Sequence, residues 1–322
     1  MTLALRAAVS LGLLYFALSG VNTAAIGARL ADLKPAWLVA GIALGFVQLG
    51  LLAPRWQRIA SACGAELPLG RALQLVLIAA FFNQVLPSTV GGDAMRIWLF
   101  ARDGQGWARA TYSVLLDRFI GVLALAILVV ACLPWSLALI QNPIGRAALL
   151  VIGLGSIVAA AGFVALGYLK WNFLQRIPPL RHLHQMSIIA RRMLFRASDA
   201  GALLGLSLMI HALTAGSAWC AAQAVDAQFS FFHALVLLPP VLLISTLPIS
   251  VAGWGVREKS LVLAFAYAGL SESSGFLVSV LLGAMMIAVG LAGGVVWLIG
   301  PDRAKNRSQN GEALQAIRAG VR

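Results

Sequence analysis

Of the 322 residues, 61% are hydrophobic and only 11% carry a charge, too little polar surface to cover a water-soluble globule of this size. The chain therefore reads as an integral membrane protein. Its net charge of +13 would suggest nucleic acid in a soluble protein, but the basic residues fall mainly between apolar runs, where Lys and Arg set topology; no nucleic-acid partner is expected.

A hydrocarbon core roughly 30 Å thick needs about 20 apolar residues per helical crossing. In chain order the apolar runs lie near 5–21, 36–53, 72–87, 94–101, 111–133, 147–169, 200–224, 231–248, 257–269 and 275–299. They predict an all-α, polytopic helical bundle. Six runs are comfortable spans; the other four form two pairs, 72–101 and 231–269, each interrupted by proline and glycine. The first run follows Arg6 and reads as a span, with a cleaved signal peptide as the alternative. Trp37, Trp56, Trp135, Trp171 and Trp297 stand at run edges, where indole rings favour the headgroup layer.

Basic residues orient the runs. The connection 170–199 holds Lys170, Arg176, Arg181, Arg191, Arg192 and Arg196, and the tail 301–322 is also basic; both belong on the cytoplasmic side. The connections 134–146, 225–230 and 270–274 contain only Arg146 and go outside. Residues 54–71, with Arg55, Arg58 and Arg71, and 102–110, with Arg102 and Arg109, read as inside. The first broken pair then dips in from the cytoplasm and the second from outside, kinked full spans being the alternative. This is an inverted repeat, 1–133 against 134–300, in a multi-pass protein of the plasma (inner) membrane with both termini cytoplasmic. Within the linker, Leu180, Leu183, Met186, Ile189 and Met193 recur near helical spacing and predict an amphipathic helix on the inner leaflet.

The two interruptions are copies of one another. Leu86 to Arg96 (LPSTVGGDAMR) aligns without gaps on Leu247 to Arg257 (LPISVAGWGVR), with five of eleven positions identical. Further on, Ser113 to Val130 matches Ser279 to Val296 at 8 of 18 positions. Pro87 and Pro248 cannot continue helical hydrogen bonding, and Gly91, Gly92, Gly253 and Gly255 allow backbone angles other residues resist. Each break starts a new half-helix whose free N–H groups attract anions.

Arg96 and Arg257 occupy equivalent places in these half-helices. Guanidinium grips phosphate oxygens in a fork, and burying it mid-membrane costs at least roughly 2.5–3.5 kcal/mol, so both are candidate substrate contacts, with structural ion pairing the alternative. Asp93 is placed to cap its half-helix or to balance Arg96. Glu258 is a candidate for proton coupling or for a salt bridge to Arg257 or Lys259. Asp117 and Arg118 lie two turns into the span 111–133, opposite Gly283 and Ala284 in the repeat; adjacent residues cannot share one helix face, and Arg118 is a third phosphate candidate. His211, deep in its span, reads as an interhelix hydrogen bond rather than a proton relay. Cys63, Cys132 and Cys220 show no metal-like or disulfide spacing. No hydrolase, metalloprotease or nucleotide-binding pattern is present; no catalytic residue, metal or cofactor is expected, and the chain does not read as an enzyme.

On LPSTVGGDAMR with the following LLDR, and LPISVAGWGVRE with its glycine-rich final span, the chain resembles the flippase-like membrane domain of lysylphosphatidylglycerol synthases over roughly 10–300. In two-domain members a soluble domain makes aminoacyl-phosphatidylglycerol and the membrane domain moves it outward. The resemblance implies the mover without the maker, which leaves room for a separate lipid-synthesising or glycosyltransferase partner. It carries Gly91, Gly92, Asp93 and Arg96 onto the first family motif, Arg118 onto the next span, and Gly253, Gly255, Arg257 and Glu258 onto the second. Ala252, where glycine is common, and Gly283-Ala284, where polar residues are expected, depart from it. The expected function is movement of an anionic phospholipid or polyprenyl-phosphate-linked lipid between leaflets. A membrane enzyme or subunit using a lipid-phosphate donor, and a proton-coupled solute transporter, are the alternatives.

Overall fold

The computed structural model describes residues 31–86, 90–169, 177–246 and 255–300. The first apolar run, Pro87, Pro248, Gly253, Trp171 and the basic tail lie outside the described residues. Within them all regular structure is helical: α1 (Pro35–Ala62), α2 (Leu69–Val85), α3 (Gly91–Phe100), a π-helical turn (Ala101–Gln105), α4 (Trp107–Leu139), α5 (Pro143–Leu166), α6 (Pro178–Phe195), α7 (Ala197–Ala224), α8 (Phe231–Ser245), α9 (Val256–Tyr267) and α10 (Glu272–Ile299). Five of these, α1, α4, α5, most of α7, and α10, are long and apolar enough to cross a bilayer. The protein is a polytopic helical membrane bundle.

Helix starts follow local chemistry. Proline opens α1, α5 and α6, where its missing N–H is not needed. Asn142 accepts from the Gly145 amide at 3.0 Å to cap α5, and Ser230 accepts from His233 N at 3.2 Å to cap α8. Helix ends depart from the sequence reading at two prolines. Pro54 lies inside α1 and Pro134 inside α4, so α1 runs nine residues past 53 and α4 runs past the expected repeat boundary at 133. Proline is tolerated in membrane helices because neighbouring helices can satisfy the freed carbonyl. As a result Arg55 and Trp56, expected in a cytoplasmic connection and at the headgroup layer, are buried in the bundle.

The broken pairs form hairpins. Arms of 17 and 10 residues in α2 and α3 reach only about 25 and 15 Å at 1.5 Å per residue, and the 15 and 12 residues of α8 and α9 reach about 22 and 18 Å; each is shorter than the hydrocarbon core. The open end of α2–α3 is stitched by Arg71 to Asp103 at 2.7 Å and by Glu66 N to Gln105 at 3.0 Å. The open end of α8–α9 is closed by Phe229 stacked on Phe265, centroids 4.7 Å apart.

α1 runs between these two ends. Its start joins the end of α7 through Lys34 N to Ala224 O at 2.9 Å and Lys34 Nζ to Asp226 at 2.5 Å, beside Phe229; its finish adjoins Glu66. The hairpins therefore open at opposite ends of α1. Packing pairs off in the same way: α1 lies against α2, α4 and α10, while α7 lies against α8, α10 and α4.

Small residues allow these contacts, as in bundles that lack a hydrophobic drive between helices. A Cβ on Gly293 would sit 1.8 Å from the Leu77 carbonyl oxygen, so α10 lies directly on the α2 backbone. Ser217 donates to Gly41 O at 3.1 Å, tying α7 to α1. In α6, Ser187, Ala190 and Met193 are buried, and Ser187 donates to Phe163 O at 2.6 Å, so the predicted amphipathic helix docks on α5.

Candidate functional site

Asp93 is within α3, not before it. The helix begins at Gly91 with Val90 at its cap position and no side-chain cap. The free N–H of Gly92 is taken instead by Asn83 Oδ1 of α2 at 2.9 Å. A Cβ on Gly92 would lie 2.2 Å from Ala79 O, so glycine is required for α3 to start against α2. With capping supplied by Asn83, Asp93 is released to act as a counter-ion, which corrects the expectation of an N-cap.

Five charged side chains from three helices then meet. Asp117 of α4 accepts from Arg55 Nε at 2.9 Å and, on its other oxygen, from Arg96 at 3.0 and 3.1 Å. Asp93 contacts Arg96 at 3.6 Å and accepts from Arg118 Nε. Arg55 also donates to Ser207 of α7 at 3.0 Å, and the Arg96 guanidinium lies 3.9 Å over the Trp56 ring, a favourable cation–π contact. Trp56 is held by Ser113 at 3.2 Å. The side chains of Arg55, Arg96, Asp93 and Asp117 are almost wholly buried, whereas that of Arg118 is 42% exposed. Three arginines against two aspartates leave one positive charge in excess. Among the described residues Arg96 Nε is buried without a hydrogen-bond partner.

The second motif builds a different cluster. Gly255, at φ +87°, precedes α9, a left-handed angle that favours glycine. Glu258 accepts from Gly255 N at 2.6 Å, from Arg257 at 2.7 Å and from Ser279 at 3.2 Å. Arg257 and Glu258 are thus a self-neutralised pair that caps α9. α9 starts at Val256, four residues later in the repeat than α3, so Arg257 and Arg96 are not equivalent in their helices.

A cavity of about 320 Å³ lies at the centre of the bundle. Its wall draws on mid-length positions of α1, α2, α4, α7 and α10, including Gly45, Val122 and Met285, and on both hairpins through Asn83 and Thr246. Of the expected site residues, Asp93, Arg96 and Arg118 line it; among the described residues Arg257 and Glu258 do not, and Arg257 Nη1 lies 3.5 Å from the sulfur of Met286, which does. Arg96 and Arg257 thus belong to separate clusters, one with Asp117 and Asp93, the other with Glu258. His211 faces the cavity and its Nε2 donates to Gly121 O at 2.9 Å, an interhelix contact as expected.

Sequence reasoning missed Arg55, counted as a topology signal, and left Asp117 without a partner. The available signal was Pro54: had α1 been carried through it, Arg55 would have stood inside a span, where an arginine demands an acid. Chemically, the cavity is a partly open, mostly apolar cleft with one basic wall, suited to an anionic group attached to an apolar body.

The family model described as the lysylphosphatidylglycerol synthase TM region matches residues 3–294. No curated protein matches the chain.

Proposed function

The chain belongs to the family of the lysylphosphatidylglycerol synthase TM region, a membrane family tied to lipid handling, and from that premise we propose that it carries an anionic, phosphate-bearing lipid between leaflets. The observation that supports this most is the excess positive charge on the wall of the central cavity. A cation withdrawn from water is costly unless paired, so the basic wall favours entry of an anion.

Arg118 is the half-exposed member of the cluster and is the guanidinium an incoming phosphate meets. Its contact with Asp93 keeps it neutralised when the cavity is empty, and phosphate takes that place. Asp117 holds Arg55 and Arg96 fixed behind it, so the basic wall needs little reorganisation. The acyl chains remain in the bilayer while the headgroup occupies the cavity. Opposed hairpins, each short of a full crossing, provide two gates to one site, as alternating access requires. In this reading the lipid comes from a separate lipid-synthesising or glycosyltransferase enzyme, the membrane is the plasma (inner) membrane, and the basic connections face the cytoplasm.

Native mass spectrometry of the purified protein tests the binding step. Retention of an anionic phospholipid by the wild type and its loss in Arg118→Gln is expected; unchanged retention in the variant would sink the assignment of Arg118.

A further inference from the structure

The proposed lipid carries a phosphate, but the cavity also says what else its headgroup bears. Among the described residues two carboxylates line it, Asp93 and Asp117, and both are committed: Asp117 to Arg55 and Arg96, Asp93 to Arg118 and Arg96. The nearby Glu258 is held by Arg257, Ser279 and the Gly255 amide. The remaining polar lining is uncharged. Gln48 of α1 and Gln84 of α2 line the cavity, and their amides have no hydrogen-bond partner among the described residues. Thr214 and Thr246 donate to Ile210 O at 3.0 Å and Leu243 O at 2.7 Å, which leaves their hydroxyl lone pairs to accept.

Resting on the lipid-carrier reading, we infer that the headgroup is a phosphate bearing neutral hydroxyls, a polyol or sugar phosphate, and that the cavity discriminates against a headgroup with a free ammonium. Amide groups both donate and accept, and so match hydroxyls. An ammonium would enter a space that already holds one positive charge in excess and offers no uncommitted carboxylate. Like charges brought together in a desolvated site are strongly unfavourable, and a site specifies as much by what it repels as by what it attracts.

The test compares leaflet exchange of acyl-NBD-labelled phosphatidylglycerol and acyl-NBD-labelled lysyl-phosphatidylglycerol in the same proteoliposomes, read by dithionite quenching. Exchange of the first at least roughly tenfold faster than the second is expected. Gln48→Glu and, on another helix, Gln84→Glu each supply a carboxylate and should narrow or reverse that ratio, with melting curves confirming that both variants fold. Equal or faster exchange of the lysyl lipid by the wild type would overturn the inference while leaving lipid movement intact. Exchange of neither lipid would overturn the lipid-carrier reading and this inference with it. Uptake of labelled glycerol phosphate into the vesicles in place of lipid exchange would assign the same chemistry to a soluble ligand and overturn the lipid.

Discussion

Arg55 of α1 and Asp117 of α4, 62 residues apart, meet at 2.9 Å with both side chains almost wholly buried. This contact locks two membrane helices behind the cavity and makes Asp117 the hinge-pin of the basic wall, since its second oxygen holds Arg96. Removing its charge leaves two buried guanidinium groups facing each other.

Asp117→Asn should therefore destabilise the protein by about 3–5 kcal/mol, the usual cost of orphaning a buried charge. Thermal unfolding in detergent should show a clearly lowered midpoint, and adding Arg55→Met should recover part of it. An unchanged midpoint in the single variant would mean that the network contributes nothing to the fold.

Arg118 and Arg96 should separate binding from stability. Arg118 is half-exposed, so Arg118→Gln should slow lipid exchange by about 10- to 100-fold, the worth of a charged hydrogen bond, with a smaller loss of melting than Arg96→Ala, because Arg96 remains beside the buried Asp93. Arg96→Ala and Arg257→Ala each remove one charged partner from a buried carboxylate, Arg96 from Asp117 and Arg257 from Glu258, and should lower stability as well as activity. Of the two roles the sequence left open for both, substrate contact and structural ion pairing, this outcome would express the second. Equal melting of Arg96→Ala and wild type would contradict it.

Gly92 and Gly293 are contact points rather than flexible ones. Their missing Cβ atoms would fall 2.2 Å from Ala79 O and 1.8 Å from Leu77 O, so Gly92→Ala and Gly293→Ala force α3 and α10 away from α2. Overpacking typically costs about 1–3 kcal/mol or more. Both should melt earlier than wild type, whereas Gly155→Ala, with open space around it, should not.

The opposed hairpins predict sidedness. In a background lacking Cys63, Cys132 and Cys220, Glu66→Cys and Gln105→Cys should react with an impermeant maleimide from the cytoplasmic face, and Asp226→Cys only from the other. Labelling of Glu66→Cys and Asp226→Cys from one face would contradict the arrangement.

Much of this architecture was legible in the chain. Apolar run lengths located the crossing helices, and the doubled Pro-Gly-Arg segment located both hairpins, because proline and glycine interrupt helices by backbone chemistry alone. What misled was counting Arg55 as a topology signal. Arg55 follows a proline, and only the packing of α1 against α4 and α7 shows that it lies among Asp117 and Ser207 rather than in water. Asp93 failed as a cap for a similar reason: Asn83, nine residues before Gly92, takes the Gly92 amide, and no local pattern announces a side chain from the opposite arm. The repeat also concealed a divergence. Five identical positions of eleven suggested twin arginine sites, yet Asp93 against Trp254 and Ile97 against Glu258 make one cluster basic in excess and the other self-neutralised.

The central claim is that the basic wall of the cavity passes anionic lipid across the bilayer. Dithionite quenching of acyl-NBD-labelled phosphatidylglycerol in proteoliposomes tests it most directly. Full quenching at a rate that rises with the amount of wild-type protein, and falls about tenfold or more in folded Arg118→Gln, is the predicted result. A plateau at half quenching, the same as in protein-free vesicles, would contradict the account.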